Sequence, residues 1–289
     1  MEYFHKKIGK DMKVTSLIEN ESDKRYKKEH GLCVHIEYNG NSYLLDTGGS
    51  DKFLTNASRI GINISNVDIA VLSHGHCDHS GGYAGFFKAN SKAKVYVRVV
   101  GDTPYYFKVG PVQSYVGMPK NIMREYSDRF VGVDGIYKLA EGVWLVPHTT
   151  RDLEKIAVKA HMYRKIQNGF VPDDYSHEQS LVFESPKGLV IFNSCSHAGI
   201  CNIINEVKAA FSNFDIYAVI GGFHLMGIWG TASCAYSKEE ILQIVYTLKD
   251  AGVQHIYTGH CTGKPAFRIM KEIANDTVHY FSTGTVLEF

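Results

Sequence analysis

Within the stretch Ser73-His74-Gly75-His76-Cys77-Asp78-His79-Ser80-Gly81-Gly82, four side chains of metal-ligating type occupy six consecutive positions. Residues two apart in an extended segment point the same way, so His74 and His76 can hold one ion. Asp78 and His79 follow where the chain must turn, and can face a second ion. Glycines at 75, 81 and 82 let the backbone crowd close. Imidazole and carboxylate donors suit zinc, manganese or iron. A solvated, histidine-rich turn is the competing reading. It is the weaker one because the string follows the apolar run Val67–Leu72 directly, and strand ends are where sites form in α/β folds.

Further candidates recur downstream, each beside an expected strand: His177 in DDYSHE, Cys195 and His197 in NSCSH, His224 in GGFH and His260 in TGHCTG. A lone histidine in such a place is more often a hydrogen-bonded loop residue. The repetition, with the strong string upstream, favours one shared site. His148 in VPHTT has both a pocket reading and a structural one. The aromatic run with Tyr105, Tyr106, Phe107 and Tyr115 could stack on a planar substrate, or simply pack on a sheet.

These residues need elements to position them. Alternating or β-branched runs predict strands at Lys13–Ile18, Leu32–Tyr38 and Ser42–Leu45, with Asn39-Gly40 as a hairpin turn. Helical spacing covers Asp51–Ile60, a helix begins in Gly81–Lys88, and Lys94–Val100 is another strand. Residues 101–130 read as an irregular, aromatic lid or pocket loop. The second half predicts strands at Ser180–Glu184, Leu189–Asn193, Ile216–Ile220 and His255–Thr258. Helices are expected at Ile200–Phe211, Lys238–Ala251 and Pro265–Asn275, with a strand-like end. Two β-then-α halves imply an α/β sandwich of two sheets flanked by helices, read as one domain over residues 1–289.

The 289 residues carry 31 Lys+Arg against 30 Asp+Glu, a formal net charge of +1. That balance gives no nucleic-acid footprint. Fourteen histidines are present, and histidine is the commonest transition-metal ligand. No run of about 18 apolar residues predicts a membrane span. The start MEYFHKKIGKDMKV has no apolar core of a secretory leader. The six cysteines form no C-x-x-C pair, which argues for a reduced, cytoplasmic setting. Oligomeric state is left open.

His74, His76, Asp78 and His79 match the H-x-H-x-D-H motif of the metallo-β-lactamase superfamily, which the sequence resembles over about residues 13–289. Leu44-Leu45-Asp46-Thr47-Gly48 is similar to its early D-x-G turn, His177 to its third-motif histidine and His260 to its last. The fourth motif departs: where many members carry a bridging aspartate stands Cys195, with His197 two residues on. Glu29-His30-Gly31-Leu32, Val116-Gly117-Met118-Pro119, His177-Glu178-Gln179-Ser180, CSHAGI (195–200), GGFHL (221–225) and TGHCTG (258–263) together resemble a dihydropteroate-synthase-related branch.

The resemblance implies a metallo-β-lactamase-like αββα sandwich with two divalent ions, zinc first, with manganese or iron as alternatives. His74, His76 and His177 would hold one ion, and Asp78, His79 and His260 the other, with Cys195 or His197 completing or bridging the pair. Asp78 would also accept a proton, Asp46 would fix a ligand tautomer, and His224 would donate a proton or bind phosphate. The activity implied is hydrolysis of a small anionic substrate, phosphorylated or an ester. A second implication is a transferase joining a dihydropterin methyl diphosphate to an arylamine phosphate. A metal-holding, non-catalytic binding module is the third reading. A redox diiron protein is disfavoured because histidine stands at 76, and a large nuclease because neither a clamp domain nor a basic excess is present.

Overall fold

The computed structural model describes residues 12–98 and 103–289. The reading of the N-terminal start, and the beginning of the segment 101–130, fall outside them. Two seven-stranded sheets face each other. The first runs, edge to edge, through Val286–Glu288, Met12–Ile18, Cys33–Tyr38, Asn41–Leu45, Ile69–Val71, Lys94–Val97 and Phe130–Gly132. The second runs through Val278–Tyr280, His255–Thr258, Ile216–Gly221, Gly188–Phe192, Gln179–Ser185, Val143–Pro147 and Tyr137–Ala140.

Alternation along the strands builds three apolar layers. Val14, Val34, Ile36, Tyr43 and Leu45 meet Leu145, Leu181, Phe183, Phe192 and Ile220 between the sheets. On the far side of the first sheet, Leu44, Ala70 and Val95 pack under Phe53 and Ala57 of Lys52–Ile60 and under Tyr83 and Phe86 of Tyr83–Ala89. Behind the second sheet, Val182, Ile191 and Val219 pack against Ile200–Ala210, Lys238–Asp250 and Lys264–Ile273. The layering is αββα. Each buried aliphatic or aromatic side chain contributes roughly 1.5–3 kcal/mol, so the sandwich can hold strained loops at its rim.

The strand pairing places the site. Asn41–Leu45, Ile69–Val71, Lys94–Val97 and Phe130–Gly132 are mutually parallel. So are Gly188–Phe192, Ile216–Gly221, His255–Thr258 and Val278–Tyr280. Their carboxyl ends gather where ligands bind in open α/β sheets, and the strings that carry His74, His197, His224 and His260 each leave one of those ends.

The segment expected to be irregular is instead a hairpin, Tyr105–Val109 with Val112–Tyr115. It joins Met162–Ile166 and Gly169–Pro172 in a four-stranded sheet. Gly110 takes φ +55°, the hand that a two-residue hairpin turn requires. The sequence reading also passed over Tyr137–Ala140, Val143–Pro147 and the helix Glu154–Lys159. These are short, and the 137–140 strand is half-exposed, so periodicity is weak.

Candidate metal centre

The turn after Ile69–Val71 brings His74, His76, Asp78 and His79 together as their spacing required. Gly81 makes this possible: a Cβ there would collide with the Gly49 carbonyl, whose strand-end loop the turn packs against. Asp46, buried, organises the group from the end of Asn41–Leu45. Its Oδ2 accepts from His79 Nδ1 (2.7 Å) and from the Ser73 hydroxyl (2.7 Å). With that hydroxyl proton committed, Ser73 Oγ accepts from His74 Nδ1 at 2.8 Å. Asp46 thereby fixes two imidazoles with their Nε2 lone pairs free, as metal-binding histidines are commonly held.

Among the described residues four groupings could hold an ion, and two donor sets face each other at the turn. In one, Asp78 Oδ2, His79 Nε2, His260 Nε2 and Cys195 Sγ form a cage. His79 lies 3.2 Å from His260, 3.2 Å from Cys195 and 3.4 Å from Asp78, and His260 lies 3.3 Å from Asp78. Tetrahedral ligands about 2.0–2.3 Å from one zinc stand roughly 3.3–3.7 Å apart, so the spacing matches. Burial opposes charge on His79, but Asp78 and Asp46 outweigh it and push the imidazole up to about 10. The two carboxylates thus favour positive charge at this place, which a bound cation would supply.

In the other set, the rings of His74, His76 and His197 are mutually 4.6–4.8 Å apart, centroid to centroid. His74 Nε2, His76 Nε2 and both nitrogens of His197 are buried without hydrogen-bond partners. Such orphaned groups are rare unless something missing binds them. Burial, reinforced by neighbouring imidazoles, lowers His76 to about 3 and keeps His74 and His197 well below the usual histidine range. Burial here favours the neutral form, which is the form that binds metal. Cys195 Sγ belongs to both sets. Burial and Cys261 push its thiol upward, so it ionises only beside a cation.

His177 does not take the place expected of it. Its Nδ1 accepts from Gly75 N–H (2.9 Å), so Nε2 carries the proton and donates to Asp173 at 3.1 Å. Both nitrogens are thus engaged within the protein, although His177 also stands within ligand distance of His76 and Asp173, a further grouping that could hold an ion. His197 stands beside His74 and His76, while Cys195 lies within ligand distance of His74 and His197 and of the Asp78–His79–His260 set, so both fourth-motif candidates face the centre. His148 also lies away from the cavity: its Nδ1 pairs with Glu206 at 3.0 Å and its Nε2 with Asn193 at 3.3 Å. Tyr105 is buried against His177, with ring centroids 4.2 Å apart, and is not part of the wall of the cavity that opens onto this centre. Tyr115 pairs with Tyr106 across the hairpin and donates to Met118 O. Residues one apart on a strand face opposite ways, and the cavity wall is made by Phe107, Ser114 and Val116.

His224 does face the cavity, 4.2 Å from His197 ring to ring, with Nδ1 buried and unpartnered. It is held at φ +47°, as is His260, while Asp46 and Ser196 sit at +59° and +56°. Left-handed non-glycine backbone costs roughly 1–2 kcal/mol per residue, and its gathering here marks a functional rim.

Four carboxylates that are 0–1% exposed hold the loops, of which only Asp46 was singled out from sequence. Glu19 accepts from His260 N–H. Asp173 holds His177. Glu178 accepts from His197 N–H and Ala198 N–H, both at 2.8 Å, fixing the turn that presents Cys195 and His197. Asn20 was missed as well: it accepts from His260 Nδ1 (2.9 Å) and donates to His30 Nδ1 (3.1 Å). This leaves His30 Nε2–H for Asp78 at 3.3 Å. Apart from Asp173, which lies four residues before His177, these residues have no local motif, since their partners lie far off in sequence. Among the described residues Asp46 and Asp78 pair with imidazoles and with no Lys or Arg.

A cavity of about 520 Å³ opens onto this centre. Asp78, Cys195 and His224 lie at its inner end, and Phe107, Met162 and Met226 along its walls.

An αββα sandwich carrying two sets of histidine, carboxylate and thiol donors at the carboxyl ends of its strands defines a metal-binding scaffold. The chain belongs to the metallo-beta-lactamase superfamily, whose family model matches residues 27–181. Over 98% of this chain and 99% of its own length, a Methanocaldococcus jannaschii protein is 29% identical; it is named 7,8-dihydropterin-6-methyl-4-(beta-D-ribofuranosyl)-aminobenzene-5'-phosphate synthase. A crystal structure of a metal-dependent hydrolase of the beta-lactamase superfamily superposes with TM-score 0.78 at 28% identity, covering 96% of this chain and 99% of that one. YhfI from Bacillus subtilis, at TM-score 0.56 and 14% identity over 97% of this chain and 100% of its own, shares the fold. Among the described residues no helix is long and apolar enough to cross a membrane.

Proposed function

We propose that this chain is a metal-dependent hydrolase with a dinuclear centre, acting on a small anionic substrate that is phosphorylated or an ester. The observation that carries the reading is the four-donor cage with 3.2–3.4 Å edges, beside three neutral imidazoles and opening on a cavity. His74, His76 and His197 hold one divalent ion; Asp78, His79 and His260 hold the other; Cys195 lies between them. Zinc suits the thiolate best, with manganese or iron as alternatives. When bound, such a pair acidifies water and neutralises developing oxyanion charge. Asp78, oriented by three imidazoles and lining the cavity, is placed to receive the proton that water gives up. His224 is placed across the cavity floor to give a proton to the leaving oxygen.

The near-full-length similarity to a protein named as a synthase favours a second reading. There the same centre assists departure of a diphosphate while an arylamine attacks the methylene carbon of a dihydropterin, and no water is consumed. One experiment separates the two. The metal-loaded chain is incubated with a dihydropterin methyl diphosphate, with and without the arylamine phosphate. Diphosphate released without the amine supports the hydrolase, and strict dependence on the amine supports the transferase. Tight binding without turnover, there and across ester and phosphodiester panels, would overturn both in favour of a binding module.

A further inference from the structure

Behind the metal centre lies a second cavity, of about 350 Å³. It shares His197, His224 and Lys159 with the main one, so a group lodged there remains continuous with a substrate at the centre. Its lining includes Lys155 and Lys159 and contains no carboxylate. Lys159 Nζ is held 3.7 Å over the Tyr236 ring and 2.7 Å from Glu240. The 11-residue helix Ile200–Ala210 begins here, its N-cap Gly199 offering no side-chain cap. Ile200, Cys201 and Asn202 line the cavity, so the first-turn amides and the positive end of the helix lie beside it.

His197 supplies the independent observation. It is 2% exposed, lines this cavity, and has no protein partner at either ring nitrogen. An imidazole that binds an ion through one nitrogen carries a proton on the other, and that N–H is normally donated to an acceptor. His74, His79 and His260 have theirs in Ser73, Asp46 and Asn20. His197 has none from the protein. Its acceptor must come from what fills the cavity, and the surrounding positive charge selects an anion.

We propose that this second cavity binds a phosphoryl group of the substrate, held by the amides of residues 200–202, by His197 N–H and by Lys155 and Lys159. The inference rests on His197 being an ion ligand, as proposed above.

Arsenate, a phosphate analogue visible by anomalous scattering, tests it on the metal-loaded chain. An arsenic peak in hydrogen-bond reach of the residue 200–202 amides is the expected result. A peak confined to the metal pair, or none at all, would overturn the proposal. In solution, phosphate titration should show at least tenfold weaker binding for Lys155→Glu, an exposed position, and for Ile244→Trp, which fills the cavity, with metal content unchanged. Equal affinity in both variants would equally refute it. Arsenate seated in the cavity of a chain that binds no ion would sink the metal reading and leave the anion subsite standing.

Discussion

Replacing His197 with alanine should empty one of the two ion sites, whereas replacing His177 should leave both filled. Structural zinc held by four ligands is worth roughly 10–16 kcal/mol, or about 3–4 kcal/mol per ligand. At about 1.4 kcal/mol per decade, loss of His197 should weaken its site on the order of 100- to 1000-fold. His177 contributes differently. Its removal strands the Gly75 N–H and the buried Asp173 carboxylate, each costing roughly 1–3 kcal/mol. That cost appears in unfolding free energy, with a secondary effect on the neighbouring ion. The assay is metal content per chain after dialysis against a chelator of known affinity, paired with denaturant unfolding of each variant. A His177→Ala protein that loses one equivalent, beside a His197→Ala protein that keeps two, would refute the assignment and with it the use of hydrogen-bond saturation to tell ligand from support.

Asn20→Ala should lower affinity at the Asp78–His79–His260 cage roughly 10- to 100-fold, because it frees the His260 ring and loosens His30 from Asp78; chelator competition measures this, and an unchanged constant would contradict it. Glu206 makes stability pH-dependent. Burial raises its pKa, but His148, Thr150 and Thr149 outweigh burial and hold it at about 2, below its ordinary 4.5. A depressed carboxyl stabilises the fold above about pH 4.5, and the gain disappears as pH falls toward 2. Discounted for partial exposure, this is about 1–2 kcal/mol. The stability gap between wild type and Glu206→Gln should close over that window, and a constant gap would be inconsistent with it.

Much of the fold was legible because its information is local. Asn39-Gly40, the helical spacing of Lys238–Ala251 and the apolar alternation of the sheets each act within a few residues. Tyr137–Ala140 and the Met162–Pro172 strands were not legible, since short, half-exposed strands leave no period to detect. The aromatic hairpin was misjudged for a related reason. Its strands are stabilised by pairing with Met162–Ile166, some fifty residues away.

The site divides along the same line. Sequence alone determined that His74, His76, Asp78 and His79 act together, because one strand end and one turn fix their relative directions whatever surrounds them. The family resemblance pointed to Asp46, which the adjacent parallel strand positions. Only the tertiary structure distinguishes the surroundings of His177 from those of His197. Both end up buried among the same imidazoles, and what separates them is whether Gly75 and Asp173 have already claimed the ring nitrogens. The same holds for Asn20, Glu19 and Glu178, whose roles come from partners up to 241 positions distant. Spacing encodes direction within a segment; which nitrogen remains free is settled when the segments close on one another.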